Sequence, residues 1–196
     1  MATLQHNYLP KQYQEDNQLS INHNYIPQQF SNSKAIIDEI KELVKRGDFT
    51  LGQAVDELED GFKKITQTKY AIGVGSGTDA LFLSLIAAGI KNGDEVITTP
   101  YTFYATIGAI VTTGAKPVFV DIREDYNIDP NLIEKAITGR TKAILPVHWS
   151  GLSCEMDKIT AVAKNNNLIV VEDACHGINA NYKGKPLGTF GLTGCF

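Results

Sequence analysis

The chain has 196 residues, of which 43% are hydrophobic and 20% are charged, a composition typical of a globular protein. A chain of this length buries roughly 70% of the surface that its unfolded form exposes, so folding requires neither a structural metal nor a disulfide. The net charge of −4 and the lack of any block of like charges argue against a protein that binds nucleic acid or a membrane surface.

The cysteines and histidines are few and scattered. Cys154, Cys175 and Cys195 form no C-x-x-C motif, and their odd number indicates a reducing compartment, so a cytoplasmic location is predicted. No pair of histidines has the spacing of a zinc site, so no metal is predicted. The apolar run over residues 81–90 is half of what a bilayer crossing requires, and the N-terminus lacks a signal-peptide pattern.

An N-terminal arm is predicted over residues 1–32, ahead of one larger domain over residues 33–196. The arm is rich in Gln, Asn and Tyr and contains a near-repeat, residues 6–13 against residues 23–30. Two copies cannot stack into a repeat architecture. The segment is therefore either a duplicated arm that lies on a neighbouring subunit or a chance similarity within an ordinary terminus.

Two amphipathic helices are predicted at the start of the domain. Apolar residues recur at helical spacing from Ser33 onward, and Gly47 ends that pattern. A second stretch repeats the pattern between Val55 and Ile65. The glycine-bounded loop between the two, residues 47–52, is too apolar for an ordinary solvent-facing linker.

Beyond Tyr70, short apolar runs rich in β-branched residues alternate with segments of helix length. The runs begin near residues 71, 95, 117, 142 and 168, about 24 residues apart, which suits a strand, a crossover helix and two turns. Asp129 and Pro130 indicate a helix start, and Gly89 and Gly93 indicate a helix end. Because some runs are apolar on both faces, we predict an α/β fold with a mostly parallel sheet flanked by helices and right-handed crossovers.

A glycine-rich turn follows the first predicted strand and leads directly into a helix, residues 73–81. Glycines let a ligand approach the backbone, and the free N–H groups and positive dipole end of the helix attract an anion. The segment is a candidate phosphate site, to which the hydroxyl of Ser76 or Thr78 can add a donor. Its spacing matches neither a dinucleotide fingerprint nor a P-loop nor a nucleophile elbow. The alternative is a tight turn whose Ser or Thr caps the helix.

Three aromatic residues, Tyr101, Phe103 and Tyr104, follow the second predicted strand just before a helix. One of them is a candidate to stack on a planar ring. Ordinary core packing explains an isolated aromatic better, so the stacking interpretation depends on the neighbouring motifs.

The last predicted strand, apolar over residues 168–171, ends in Glu172 and Asp173. Burying a carboxylate is costly unless it is paired, so this strand end predicts a cationic partner, for which the protonated nitrogen of a pyridine ring is one candidate. The alternative is an aspartate that caps the next helix. His148 follows the fourth predicted strand at the same edge, where a lone histidine is more often structural than catalytic.

A phosphate site, an aromatic plate and a strand-end aspartate are together what pyridoxal phosphate requires. The first anchors the phosphate and the second stacks on the ring. The aspartate keeps the ring nitrogen protonated, so that the ring withdraws electrons.

The sequence resembles the DegT-type sugar aminotransferases, which are pyridoxal-phosphate enzymes with the aspartate-aminotransferase fold. The resemblance extends over residues 38–196 and rests on short blocks in a specific order. These blocks are residues 47–52, 76–81, 93–97, 117–122, 127–130, 146–148 and 171–174.

The resemblance implies roles for five residues. Gly77 and Thr78 would hold the cofactor phosphate, Phe103 would stack on the pyridine ring, and Asp173 would pair with its nitrogen. His176, where many relatives have Gln, would lie near the phenolic oxygen. The resemblance also implies a nucleotide-linked keto-sugar as substrate, glutamate as the usual amino donor, and a homodimer with its sites at the interface.

The catalytic lysine is the main departure from the family pattern. In the family the Schiff-base lysine follows the segment matched by residues 188–196, so it is expected beyond Phe196, as is a small C-terminal domain. Lys183 and Lys185 precede that segment, in a glycine-rich turn of the kind that connects two strands, and are not candidates. The chain is therefore interpreted as the arm and the incomplete large domain of such an enzyme.

The sequence leaves two alternatives. One is an inactive regulatory or interaction protein that keeps the fold. The other is a dehydratase relative that uses pyridoxamine phosphate and has a histidine at the position of the lysine.

Overall fold

The computed structural model describes residues 26–196, without the side chain of Gln29. The chain divides into two compact units, Met1–Gly52 and Gln53–Phe196. Most of the predicted N-terminal arm, and with it most of the near-repeat, lies outside the described residues. The arm and its role therefore stay predictions.

Two helices form the described part of the first unit, α1 (Ile26–Gln29) and α2 (Ser33–Arg46). α2 ends where the sequence predicts, because Gly47 adopts the left-handed conformation with a φ of 70°. The N–H of Gly47 bonds to the carbonyls of Leu43 and Val44, which satisfies acceptors at the end of the helix.

The second unit alternates helices and strands along the chain. Its helices are α3 (Gln53–Thr66), α4 (Gly77–Ala87), α5 (Tyr104–Thr112), α6 (Pro130–Ala136) and α7 (Met156–Asn165). Its strands are β1 (Glu95–Thr98), β2 (Lys116–Phe119), β3 (Thr141–Ile144), β4 (Ile169–Asp173), β5 (Asn181–Tyr182), β6 (Lys185–Pro186) and β7 (Thr193–Cys195). A 3₁₀ turn occupies Trp149–Gly151.

Five of these strands form one parallel sheet in the order β2-β1-β3-β4-β7. Asp173, the last residue of β4, lies beside Cys195 of β7, so the carboxyl ends of these neighbouring strands meet at one edge. The predicted fold class, a mostly parallel sheet flanked by helices, is confirmed. β5 and β6 form a separate antiparallel hairpin around Lys183 and Gly184, as the sequence predicts for this turn.

The core has two layers, one on each face of the sheet. Val96 of β1 packs in the cluster that contains Leu81 and Leu85 of α4, whereas the next residue, Ile97, packs in the cluster that contains Ile159 of α7. Successive residues of a strand point to opposite faces, so a strand that is covered on both sides must be apolar throughout. This explains the unbroken apolar runs.

α6 begins as predicted, because the Asp129 carboxylate accepts a hydrogen bond from the N–H of Asn131 at 2.9 Å and Pro130 occupies the first turn. None of the helices over the described residues is long and apolar enough to cross a membrane.

The strand predicted near residue 71 is wrong, since residues 71–75 form no strand. Gly73 and Gly75 contribute no side chain to a sheet face, and the N–H of Gly73 donates to the Glu59 carboxylate at 2.7 Å rather than to a neighbouring strand. The fifth strand of the sheet is β7 instead, which was not predicted because Thr193, Gly194 and Cys195 make no apolar run.

Candidate functional site

A cavity of about 220 Å³ opens at the carboxyl edge of the parallel sheet. It is bounded by the N-terminus of α4 and by the segments that follow β1, β3 and β4, the edge at which ligands bind in open α/β sheets. The five residues expected to contact a cofactor all line it: Gly77, Thr78, Phe103, Asp173 and His176. The other lining residues are Leu81, Thr102, Ala105, Thr106, Val147, His148, Trp149 and Cys175.

The N-terminus of α4 offers backbone donors to this cavity. Ser76 caps the helix, because its Oγ accepts a hydrogen bond from the N–H of Asp79 at 3.1 Å and its carbonyl accepts from Ala80 at 2.9 Å. The N–H groups of Gly77 and Thr78 have no acceptor within the described part of the chain. Ser76 therefore caps the helix while the N–H groups of Gly77 and Thr78 stay available to a ligand. The positive end of the helix dipole favours an anion at this point.

Gly77 is crowded on the side where a side chain would stand. A Cβ at this position would lie 2.8 Å from the Sγ of Cys175 and 3.2 Å from the carbonyl oxygen of Phe196. Any side chain at this position would have to displace one of these neighbours, so glycine is the residue that fits.

Asp173 supplies a negative charge to the same cavity. Its side chain is buried, with Oδ2 accepting from the Thr106 hydroxyl at 2.7 Å and Oδ1 accepting from the N–H of Cys175 at 3.3 Å. No ion pair formed by the described residues includes Asp173. Residues 174–180 are turns rather than a helix, so Asp173 is not a helix cap. A buried carboxylate without an ion pair is able to accept a cationic group of a ligand.

Phe103 presents an aromatic ring at the mouth of the cavity. It is the N-cap residue of α5 and is 59% exposed, with its ring 4.4 Å from that of Tyr104 between centroids. Core packing therefore does not account for Phe103. Tyr101, by contrast, packs against Tyr126 and Trp149, at centroid distances of 5.2 and 4.8 Å.

His176 is held in a defined orientation by the 3₁₀ turn. Its Nδ1 accepts a hydrogen bond from the N–H of Ser150 at 3.2 Å, and its ring packs edge-on against Trp149. Gly151 has a φ of 80°, and a Cβ there would lie 2.9 Å from the His176 carbonyl. Because Nδ1 is an acceptor in this contact, the proton of the neutral imidazole is on Nε2, which is therefore a hydrogen-bond donor.

Cys175 lines the cavity as a neutral thiol. Burial is the larger cause, and the neighbouring Asp173 carboxylate the smaller one, that together raise the pKa of Cys175 to about 12. A thiol with such a pKa carries almost no thiolate at neutral pH. Cys175 therefore contributes shape and not a nucleophile.

The partners of Glu172 were not predicted. This fully buried carboxylate accepts hydrogen bonds from the N–H groups of Gly188, Phe190 and Gly191 at 3.0, 2.6 and 2.7 Å, and it pairs with Nε2 of His148 at 3.1 Å. Its partners are thus mostly backbone groups rather than a cation. The sequence indicated that a buried carboxylate at this position needs a partner. It did not indicate which partner, because Gly188 is 16 positions away in the chain.

Thr106 was also missed. It lies three positions after Phe103 in the first turn of α5, which places its hydroxyl against Asp173. A threonine in a helix usually bonds within its own helix, so the sequence provides no signal for this contact.

The fold and the site define an α/β protein whose parallel sheet brings a helix N-terminus, an exposed aromatic ring and a buried aspartate to one cavity. The sequence model of the DegT/DnrJ/EryC1/StrS aminotransferase family matches residues 31–196. The chain belongs to this family, and the resemblance found from the sequence is confirmed.

Three similar proteins illustrate the relationship. The chain is 48% identical over 159 residues to the spore coat polysaccharide biosynthesis protein SpsC of Bacillus subtilis. The aligned region covers 81% of this chain and 41% of that protein. It is 43% identical over 157 residues to the UDP-2-acetamido-2-deoxy-3-oxo-D-glucuronate aminotransferase of Pseudomonas aeruginosa, covering 80% and 44%.

The third is a crystal structure of NtdA from Bacillus subtilis with bound cofactor PMP. It matches this structure with a TM-score of 0.80 and 35% sequence identity, covering 90% of this chain and 42% of that one. The chain thus spans less than half the length of all three relatives.

Proposed function

We propose that this chain forms the cofactor-binding part of an aminotransferase that uses pyridoxal phosphate and acts on a nucleotide-linked keto-sugar. The observation that carries the proposal is that Gly77 and Thr78, at the N-terminus of α4, and the buried Asp173 line one cavity. Such a cavity binds a ligand that is anionic at one end and cationic at the other. Membership of the aminotransferase family and the cofactor named for NtdA support this choice of ligand.

The residues present fit the phosphate end of the cofactor. Two backbone N–H groups without an acceptor in the described chain meet at the start of an 11-residue helix, beside the Thr78 hydroxyl. The crowding around Gly77 keeps this surface free of a side chain. A phosphate bound there receives charge-assisted hydrogen bonds and the favourable field of the helix.

The residues also fit the ring end. Phe103 offers an exposed face to an aromatic ring, and the buried Asp173 carboxylate supplies the charge that keeps a pyridine nitrogen protonated. His176 presents a donor at Nε2, which suits a phenolate oxygen. When bound, pyridoxal phosphate supplies the electron sink and carries the amino group between donor and acceptor.

The catalytic lysine is proposed to lie beyond Phe196. Lys183 and Lys185 occupy the β5–β6 hairpin, and neither lines the cavity. Lys183 is paired with the Asp157 carboxylate at 2.6 Å, and this partner raises the pKa of Lys183. A lysine with a raised pKa is a poorer nucleophile, so Lys183 is unsuited to bond covalently with a cofactor.

The substrate, donor and assembly are proposed by analogy with the family. The name of the Pseudomonas aeruginosa relative describes a UDP-linked keto-sugar acid as the acceptor, and that of SpsC describes polysaccharide biosynthesis. We extend both to this chain as a nucleotide-linked keto-sugar in polysaccharide biosynthesis. Glutamate as the donor, a homodimer as the assembly and the cytoplasm as the location complete the proposal.

The binding of pyridoxamine phosphate tests the site directly, because this form of the cofactor needs no lysine. Isothermal titration of the complete polypeptide should detect binding, and Asp173→Asn should weaken it at least tenfold because a buried charge loses its counterpart. Asp60→Asn, which alters an exposed carboxylate on α3, is the matched control and should leave the affinity unchanged. Equal binding by wild type and Asp173→Asn would disprove the proposed site.

Amino transfer itself is tested by mass spectrometry of the sugar product. The complete polypeptide, pyridoxal phosphate and glutamate are incubated with UDP-linked keto-sugars, and an amino sugar is expected. Binding of the cofactor without any amino transfer would favour the alternative of a regulatory or interaction protein that keeps the fold.

A further inference from the structure

We propose that Thr102 and Thr106 form a hydroxyl relay that orients the Asp173 carboxylate and stabilises its negative charge toward the ring nitrogen of the bound cofactor. The inference rests on the proposed function, since it assumes that Asp173 meets a pyridinium nitrogen. Thr106 is thus a positioning residue that acts through Asp173, and Thr102 acts through Thr106.

The relay is defined by two short contacts. The Oγ1 atom of Thr106 lies 2.7 Å from Oδ2 of Asp173 and 2.8 Å from Oγ1 of Thr102. Thr106 is fully buried, so water does not compete for its hydroxyl. All three residues line the cavity.

The direction of both hydrogen bonds follows from the chemistry of the acceptor. An ionised carboxylate only accepts, so Thr106 must donate to Asp173. A hydroxyl has one proton, so the contact with Thr102 requires Thr102 to donate to Thr106. The two hydroxyl dipoles therefore align toward the carboxylate, and each strengthens the other.

The contact is not the ordinary use of a helical threonine. On the same helix, Thr112 donates to the carbonyl of Gly108, four positions earlier, at 2.8 Å. Thr106 instead reaches a carboxylate 67 positions away in the sequence. Its hydroxyl is thus committed to a single charged group at the edge of the cavity.

Loss of this hydroxyl would remove a short hydrogen bond to Asp173 and leave its carboxylate held by Cys175. The other hydrogen bonds to its carboxylate come from Cys175, whose thiol donates to it and whose backbone N–H lies 3.3 Å away, against 2.7 Å for the bond from Thr106. Thr106 also lies in the helical turn that Phe103 caps, and Thr102 directly precedes that cap. One turn of α5 therefore sets both the ring-stacking face and the orientation of the acid.

The test compares two probes in the complete polypeptide, pyridoxamine phosphate and its 1-deaza analogue, in which carbon replaces the ring nitrogen. Thr106→Val keeps the side-chain shape but removes the hydroxyl, and it should weaken binding of pyridoxamine phosphate about tenfold. Thr106→Ser keeps the hydroxyl and should bind within about twofold of wild type. Neither variant should change the affinity for the deaza analogue, which makes no ion pair with Asp173.

Thr102→Val serves as a second variant at the outer end of the relay. It should weaken binding of pyridoxamine phosphate about twofold to threefold, again without an effect on the deaza analogue. Because Thr102 is half-buried whereas Thr106 is fully buried, this variant keeps the inference testable if Thr106→Val does not fold. Thermal unfolding of each variant, followed by the fluorescence of Trp149, establishes that the variants compared are folded.

The outcomes separate the inference from the proposed function. If Asp173→Asn weakens binding but the folded threonine variants do not, the relay is disproved and the proposed site stands. If the threonine variants weaken both probes equally, their role is structural and the relay is again disproved. If Asp173→Asn binds as wild type does, the proposed site itself fails.

Discussion

Glu172 and His148 form a fully buried pair, with Nε2 of the histidine 3.1 Å from a carboxylate oxygen. Nδ1 of His148 accepts from the N–H of Cys154 at 3.2 Å, so the Nε2 atom carries the proton and donates to Glu172. The same carboxylate binds three backbone N–H groups in residues 188–191. Glu172 thus ties the turn that precedes β7 to the end of β4, next to Asp173.

Replacing Glu172 with Gln should destabilise the protein. The amide NH₂ must face donors that the carboxylate accepted, so at least one buried hydrogen bond is lost along with the charge. We expect a loss of about 3 kcal/mol, which lowers the melting temperature by roughly 6–12 °C in a domain of this size. Thermal unfolding followed through Trp149, the one tryptophan, measures it.

The exposed Glu134→Gln on α6 is the control for this change and should stay within about 0.5 kcal/mol of wild type. A Glu172→Gln variant as stable as this control would show that the buried network contributes nothing to stability.

Gly77→Ala should weaken binding of a phosphate-bearing ligand. The added Cβ would stand 2.8 Å from the Sγ of Cys175 and 3.2 Å from the carbonyl oxygen of Phe196, so either these neighbours or the turn that carries the two amides must shift. We expect about tenfold weaker binding of pyridoxamine phosphate, and no change for pyridoxamine, which lacks the phosphate. Isothermal titration with both ligands separates the two.

Gly108→Ala is the matched control, because it adds the same methyl group within α5, where nothing lies within 4 Å. It should keep full affinity and gain up to about 1 kcal/mol of stability from the better helix former. Equal loss of affinity for both pyridoxamine ligands in Gly77→Ala would argue against a phosphate site.

Cys175 should react slowly with iodoacetamide although its residue is exposed at the surface. Burial of the sulfur and the Asp173 carboxylate raise its pKa to about 12, so only a small thiolate fraction exists at pH 8. We expect alkylation at least about a hundredfold slower than that of a free cysteine, with a rate that rises as the pH increases toward 12. Mass spectrometry of labelled peptides gives the rate.

Asp173→Asn should accelerate this alkylation, because it removes a negative charge that disfavours the thiolate. An unchanged rate in that variant would mean that burial alone sets the reactivity of Cys175.

Lys183→Arg and Lys185→Arg should leave cofactor binding unchanged. Lys183 is held by Asp157, and Lys185 lies over the ring of Phe190, 4.5 Å from its centroid, so both are engaged away from the cavity. Titration with pyridoxal phosphate, followed by borohydride reduction and intact-mass measurement, checks this. Loss of a covalent adduct in either variant would place the catalytic lysine in the hairpin and refute its proposed location beyond Phe196.

Features that depend on neighbouring residues could be predicted from the sequence. Gly47 ends α2 and Asp129 with Pro130 begins α6, because the left-handed conformation and the cap are properties of a few adjacent residues. The apolar runs predicted four of the strands of the sheet. Since all parallel strands end at the same edge, Phe103 and Asp173 could also be expected on the same side.

Features that depend on contacts between distant residues were decided by the tertiary structure alone. Residues 71–75 have the apolar pattern of a strand but no strand to pair with in the described chain. β7 lacks that pattern but pairs with β4. The bonds from Thr106 to Asp173 and from Gly188 to Glu172 join positions 67 and 16 apart. A buried acid needs donors, which its sequence context indicates, but only the folded chain determines which donors come within hydrogen-bonding distance.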